Sequence, residues 1–331
     1  MKILSLAPLA GPGLKILESL GEVTVDPWID QVPIKLHAAH ELIPRLEGVE
    51  ILIVEADFLS AEVLDGSSLR FLGVCRGDPN NVDVAAATRN GIVVIRTPGR
   101  NAVAVAELTI GFMYSLLRSI VAADDDIRAG RWVVDGRIPQ QRYKGHELAG
   151  STVGLVGLGA VARVVAKILQ ATGSRVLAYD PFVPAEDVRA LGIEPIADLG
   201  DLMEASDIIS VHAPLNAATR GMIGEAEFAR VRPGSYYVNT ARYGIAQEEP
   251  LLAALRDGRF AGAALDHFEH EYLAPDHPLV SMPNVVLTPH IGGATIETIQ
   301  NHTSQIAEGI RDVLAGGMPD SVVNPEAAQQ A

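Results

Sequence analysis

Short apolar runs alternate with stretches of helical spacing along the first hundred residues. Ile3–Leu6, Val23–Val25, Ile51–Val54, Phe71–Val74 and Ile92–Ile95 read as strands, and patterns such as His37–Leu46 and Val82–Asn90 between them read as helices. This rhythm predicts βαβ units and a parallel sheet, because strands covered on both faces are continuously apolar and parallel crossovers require helices. A long helical stretch from Asn101 to about Arg128, with one broad apolar face, introduces a second series. Its strands are Thr152–Val156, Arg175–Tyr179, Ile208–His212, Ser235–Asn239, Ala261–Leu265 and Val285–Thr288. A last helical segment, Ile296–Leu314, has no strand after it and fits either series on pattern alone. The expected fold is α/β with two parallel-sheet domains, and the change of pattern puts a boundary near Pro98-Gly99.

Composition narrows the function classes. At 331 residues with 48% hydrophobic content, the chain can give each domain its own core. A net charge of −15 and a pI near 5.0 argue against a phosphate backbone as partner, since nothing supplies a basic stripe. The single cysteine, Cys75, leaves no internal disulfide, which suits a reducing, cytoplasmic setting. The apolar start is interrupted by Pro8, Gly11-Pro12-Gly13 and Lys15, so it reads as a strand entering a helix instead of a signal peptide. No stretch approaches membrane-spanning length. The sequon at Asn301 and the tripeptide Arg76-Gly77-Asp78 carry meaning only outside a cell and are taken as accidents. The acidic run Asp124-Asp125-Asp126 is expected to be a solvated helix end.

Chemistry enters with the strand Thr152–Val156, which runs into Gly157-Leu158-Gly159-Ala160-Val161-Ala162 and then a helical stretch. In a strand–turn–helix context, Gly157 permits the tight turn and Gly159 the approach of a pyrophosphate. Small Ala162 lets the helix pack on the strand, and the helix N-terminus favours an anion. The next strand ends at Asp180, where a carboxylate is placed to accept from the adenosine ribose 2′-hydroxyl. It would repel a 2′-phosphate, and Pro181-Phe182 offers no cation to hold one, so the expected cofactor is NAD. The competing reading of Asp180 is a turn cap before Pro181.

The chain resembles the D-isomer-specific 2-hydroxyacid dehydrogenase family, which includes 3-phosphoglycerate dehydrogenases and glyoxylate/hydroxypyruvate reductases. The resemblance rests on Asn81-Val82-Asp83, Thr97-Pro98-Gly99-Arg100-Asn101 through Glu107, the glycine turn, His212-Ala213-Pro214-Leu215, Asn239-Thr240-Ala241-Arg242, Leu265-Asp266 and Pro289-His290-Ile291-Gly292-Gly293, in that order. It implies two Rossmann/flavodoxin-like domains. The substrate-binding domain comprises residues 1–98 with 294–331, and an NAD-binding domain, residues 99–293, is inserted in it, which assigns Ile296–Leu314 to the substrate domain. It also implies hydride transfer between nicotinamide and C2 of a small D-2-hydroxy acid or 2-keto acid. Arg242 is then the substrate-orienting catalytic arginine and His290 the acid–base, with Glu271 as its partner. By the same resemblance Ala160, Val161, His212, Ala213, Pro214, Thr240, Ala241, Asp266, Gly292 and Gly293 join Gly157, Gly159 and Asp180 around the cofactor. The apolar stretch around Ala102–Leu117 resembles the helix through which the family forms homodimers.

The chain also departs from the family. Asp-Val-Phe-x-x-Glu-Pro becomes Asp266-His267-Phe268-Glu269-His270-Glu271-Tyr272, which keeps the register of the glutamate. Tyr243 follows Arg242 where glycine is usual, placing a ring at the expected wall of the site. The substrate loop reads Val74-Cys75-Arg76-Gly77-Asp78, with Val74 at the usual arginine position and Arg76 displaced, so phosphoglycerate is not secured as substrate. Cys75, Arg76, Gly77 and Asp78, with Arg242, are the expected substrate residues, although Cys75 also reads as a small buried side chain. Neither His267, His270 and the glutamates beside them nor His37, His40 and Glu41 are expected to bind metal. The alternative to the enzyme is an NAD-sensing corepressor-like binding module on the same fold. The absence of a basic cluster and of long disordered tails favours the enzyme.

Overall fold

In the computed structural model, which describes residues 1–328, the chain packs as two units. Residues 1–101 with residues from 294 onward form one, and residues 102–293 form the other. The boundary expected near Pro98-Gly99 therefore falls after Asn101. Arg100 is held in the first unit through Glu55 Oε1 at 2.6 Å and His302 Nδ1 at 2.9 Å, and its carbonyl accepts from the Asn301 side chain at 2.9 Å.

The first unit is a five-stranded parallel sheet in the order β2-β1-β3-β4-β5. Its strands are β1 (Lys2–Ser5), β2 (Glu22–Val25), β3 (Ile51–Val54), β4 (Phe71–Val74) and β5 (Val93–Arg96). Every residue of β3 and β4 is buried, as a sheet covered on both faces requires. One cover is the helix Ile296–Leu314, whose Ile306, Ala307, Ile310 and Val313 join Ile3, Ile53 and Ile95 in one core cluster. This helix crosses the helix Pro12–Leu20 at Gly13, where a Cβ would lie 2.5 Å from the backbone nitrogen of Ser304, so only glycine permits the approach. The helix expected over His37–Leu46 is one turn, Ala39–Leu42, followed by the 3₁₀ turn Ile43–Leu46 at Pro44, which has no N–H for the helical ladder.

The second unit is a seven-stranded parallel sheet in the order β12-β11-β10-β9-β6-β7-β8. Its strands are β6 (Thr152–Val156), β7 (Arg175–Tyr179), β8 (Glu194–Pro195), β9 (Ile208–Val211), β10 (Ser235–Asn239), β11 (Phe260–Leu265) and β12 (Val285–Leu287). β6 pairs with β7 on one side and β9 on the other, so the strand order reverses at β6. Ligands in such sheets bind beyond the carboxyl ends of the strands at this reversal.

The helical stretch expected to run unbroken to Arg128 is two helices, Ala102–Leu117 and Ile120–Arg128, bent by 65°. Ser119 at the break has φ 50°, and the Leu117 carbonyl accepts from the amide of His146 at 3.0 Å instead of continuing the ladder. No single helix among the described residues is long and apolar enough to cross a membrane. Asp126 corrects the reading of a solvated acidic end, because it is buried. Its carboxylate accepts from Tyr143, Arg142 and, at 2.7 Å, Arg131, and these contacts, in that order, hold it well below the usual carboxylate range.

Candidate active site

The carboxyl end of β6 runs into the glycine turn. Gly157 has φ 91°, a conformation that disfavours side chains, and a Cβ on it would stand 2.7 Å from the backbone nitrogen of Ala213. One glycine thus serves both the turn and the close passage of the 212–214 loop. Gly159 is different, because a Cβ there would meet nothing within 4 Å, yet it opens the helix Ala160–Ala171 with no side-chain cap. Exposed Ala160 and half-buried Val161 follow, and no side chain caps the first amides of this 12-residue helix. Ala162 is fully buried against the sheet. Open space beside uncapped helix amides fits a pyrophosphate.

Asp180, at the end of β7, accepts from the Leu158 amide at 2.8 Å and from the Phe182 amide at 2.9 Å. These contacts are those of the turn-cap reading, and the carboxylate that makes them remains half-exposed at the edge of the turn. At the end of β9, His212 meets Ser210 Oγ through Nε2 at 2.9 Å, and the packing around its ring pushes its pKa down to about 4. Pro214 is exposed beyond it.

Three neighbouring strands deliver the remaining groups. After β10, the Asn239 side chain accepts from the Ala241 amide at 3.0 Å and donates to the Arg242 carbonyl at 3.0 Å. That explains the Asn-x-x-Arg spacing, since the asparagine ties the turn that presents Arg242. The guanidinium is exposed and donates to the Ala241 carbonyl at 2.8 Å. Thr240 is buried, 2.8 Å from Thr109 Oγ1. Thr109 spends its one proton on the Val105 carbonyl, so Thr240 is the donor.

At the end of β11, Asp266 is buried, with both oxygens engaged inside the chain. Thr288 Oγ1 and the Ile291 amide donate to Oδ1 at 2.5 and 2.8 Å, and the Gly292 amide donates to Oδ2 at 2.7 Å. Its carboxylate therefore organises the loop after β12, at the position where the family resemblance places a border of the cofactor site. Gly292 is buried and Gly293 half-buried.

The two loops, after β11 and β12, bring Glu271 to His290. The His290 Nδ1 lies 2.9 and 3.0 Å from the two Glu271 oxygens. An ionised carboxylate only accepts, so Nδ1 carries the proton of this contact and Nε2 is left for exchange with a ligand. Both residues have left-handed backbones, φ 53° for Glu271 and 55° for His290. For side chains other than glycine this costs about 1–3 kcal/mol each and persists where the surroundings enforce it. The side chains are 55% and 44% exposed, so the pair is open to solutes.

His267, which stood out in the sequence as a departure from the family pattern and as a metal candidate set aside, has its Nε2 3.0 Å from Glu271 Oε1 and its ring centroid 4.4 Å from that of His290. The ligand atoms of these three residues lie within 4.8 Å of one another, a spacing that a metal ion also uses. Metal-ligating imidazoles pass their other N–H to an acceptor, however, and the buried Nδ1 of His267 has no partner. The arrangement suits proton exchange.

Two expectations change. Tyr243 is not a wall of the site, because it is buried, packs on Phe268 at 5.8 Å and donates from its hydroxyl to Glu248 at 2.9 Å. Cys75 is fully buried, and burial raises its thiol well above the usual range, so its side chain faces no substrate. Arg76 is anchored through Nε to the Glu55 carbonyl at 2.7 Å and through Nη1 to Asn80 at 2.9 Å. Gly77 and Asp78 are exposed beside it in the first unit.

Residues 110–292 match the family described as D-isomer specific 2-hydroxyacid dehydrogenase, NAD binding domain. The chain is 35% identical over 98% of its length to a D-3-phosphoglycerate dehydrogenase of Methanocaldococcus jannaschii, and spans only 59% of that protein. It is 37% identical over 95% of its length to a glyoxylate reductase of Thermofilum pendens, covering 92% of it. The fold is similar to the TT0316 protein of Thermus thermophilus at a TM-score of 0.82 and 32% identity, covering 98% of this chain and all of that one.

Proposed function

From the premise that this chain belongs to the D-isomer specific 2-hydroxyacid dehydrogenase family and takes NAD as its cofactor, we propose that it transfers hydride to and from C2 of a small D-2-hydroxy acid. The observation that carries the reading is the His290–Glu271 pair at 2.9 Å, at the carboxyl edge of the strands that also present Arg242. NAD accepts or supplies the hydride when it is bound.

The residues of the chain do the rest. In oxidation of the hydroxy acid, the free Nε2 of His290 takes the hydroxyl proton. In reduction of the keto acid, the same nitrogen returns a proton to the carbonyl oxygen. Glu271 orients the ring and stabilises its charged form. Arg242 meets the substrate carboxylate with a paired, charge-assisted contact and polarises the reacting oxygen. Gly157, Gly159, Ala160, Val161 and Asp180 would hold the dinucleotide, with His212, Ala213, Pro214, Thr240, Ala241 and Gly293 at its border.

The two relatives above are named for different acids, so the acid is part of the proposal: a two- or three-carbon 2-keto acid such as glyoxylate or hydroxypyruvate, or 3-phosphoglycerate. An assay over D-glycerate, 3-phosphoglycerate, glyoxylate, hydroxypyruvate and D-lactate tests it, and absence of NAD(H) turnover with all five would sink the reading. We also propose a homodimer, because the segment after the bend exposes Ile120, Ile127, Trp132, Val133 and Ile138, between 46% and 63% accessible. A monomer by light scattering would refute it.

A further inference from the structure

Glu271 serves two imidazoles, and only one of them belongs to the family pattern. His290 Nδ1 contacts both carboxylate oxygens, while His267, four residues before Glu271 and on the far side of the turn containing His270, contacts Oε1 at 3.0 Å. His270 and Glu271 both have positive φ, 57° and 53°, and the Glu271 side chain is half-exposed. Such a carboxylate is poorly constrained by its own turn. His267 supplies the constraint from a rigid base, since it directly follows buried Asp266 at the end of β11 and its side chain is only 14% exposed.

The tautomer of His267 follows from its surroundings. Glu271 only accepts, so Nε2 must carry the proton, and the buried Nδ1, which has no partner, then carries the lone pair. This is the less costly choice, because a buried donor without an acceptor is rarer than a buried acceptor without a donor. Burial first, then the charges of Arg242 and of His290, disfavour its charged form, against the opposing pull of Glu271 and of the Phe268 backbone.

We propose that His267 is a positioning residue of the acid–base pair, in which its neutral Nε2–H holds Glu271 against His290 and limits how strongly Glu271 favours the charged imidazole. The proposal rests on the hydride-transfer reading for its kinetic consequences and on geometry alone for its structural ones. A carboxylate that already accepts one hydrogen bond has less negative charge to offer a second partner. The titratable groups that meet His290 are Glu271 and His267, and the charge of Arg242 acts on His267. Removal of His267 therefore has two separable effects: Glu271 becomes mobile, and while engaged it holds the His290 proton more tightly.

The test compares wild type, His267→Val, which restores the usual aliphatic residue, and His267→Gln, whose amide keeps a donor at the reach of Nε2 without titrating. NADH binding by fluorescence establishes that each variant is folded. For the Val variant, the midpoint of the pH profile of kcat/KM for hydroxy-acid oxidation should move to higher pH by about half a unit or more, with kcat lowered about 3- to 10-fold. The Gln variant should restore most of both. A Val profile superimposable on wild type, or a Gln variant that behaves like Val, would overturn the proposal. Nitrogen-15 NMR of the imidazoles tests it independently of turnover, since His267 must show the Nε2–H form and the His290 titration must shift in the Val variant. Absence of turnover in wild type refutes the enzymatic reading, whereas turnover together with an unshifted His290 resonance refutes the role of His267.

Discussion

Asp266 accepts the Gly292 amide at 2.7 Å, and a Cβ placed on Gly292 would lie 2.8 Å from the same oxygen. The contact explains why a glycine stands there, and it makes the loop carrying His290 depend on a buried carboxylate one strand away. Asp266→Ala orphans the Ile291 and Gly292 amides as well as Thr288 Oγ1. Loss of about 2–4 kcal/mol in urea-unfolding free energy is expected, together with a loss of turnover larger than the loss of stability alone would produce.

His290→Ala should lower kcat about 10²- to 10⁴-fold, the range a positioned acid–base contributes. NADH affinity, read by fluorescence titration, should stay within about twofold, because the glycine turn and Asp180 lie on other strands. Equal loss of binding and turnover would make the residue structural.

Asp180 fixes the glycine turn through Leu158 and borders the expected ribose site. Asp180→Ala should weaken NAD binding about 10-fold and lower stability by about 1–2 kcal/mol. It should gain little NADP activity, since removing the carboxylate relieves repulsion without supplying a cation. Calorimetric titration with both dinucleotides checks this, and tight NADP binding by the variant would show that the carboxylate alone sets the choice.

His212 gives a pH dependence of definite sign. Its folded-state pKa, about 4, lies below the ordinary histidine value of 6.5, so the neutral ring is favoured on folding. The stabilisation is fully present above about pH 6.5 and is lost as pH falls toward 4, because the unfolded chain takes up the proton first. Denaturant unfolding over that interval should show stability falling with acidity, and His212→Asn should flatten this part of the curve. An unchanged slope would mean that the ring is hydrated in the folded protein.

Both sheets were legible in the sequence because fully buried parallel strands read as continuous apolar runs, and β3, β4, β6, β7 and β10 begin and end where the pattern puts them. β8 was not, because a two-residue edge strand of Glu194 and Pro195 has neither length nor apolar character. The bend at Ser119 was hidden because the group that takes up the Leu117 carbonyl there, the His146 amide, lies far along the chain. Tyr243 was misread for a related reason: its sequence neighbour Arg242 points to solvent, whereas the short turn Tyr243–Ile245 carries the ring inward onto Phe268. Glu271 and His290 were within reach of sequence reasoning because each keeps its register after a strand. His267 was visible as a departure and as a metal candidate set aside, since its contact with Glu271 depends on how the turn folds back.

The return of the helix Ile296–Leu314 to the first sheet gives the chain a timetable. Ile3, Ile53 and Ile95 form their core with Ile306, Ala307 and Ile310, so the opening hundred residues leave the ribosome without the helix that covers this face. Residues 102–293 are contiguous and fold without waiting. At roughly 5–20 residues per second, the early sheet spends on the order of ten to forty seconds with this apolar side only partly covered, by the helix Pro12–Leu20. During synthesis the later domain therefore has all of its residues before the first sheet gains its last covering helix.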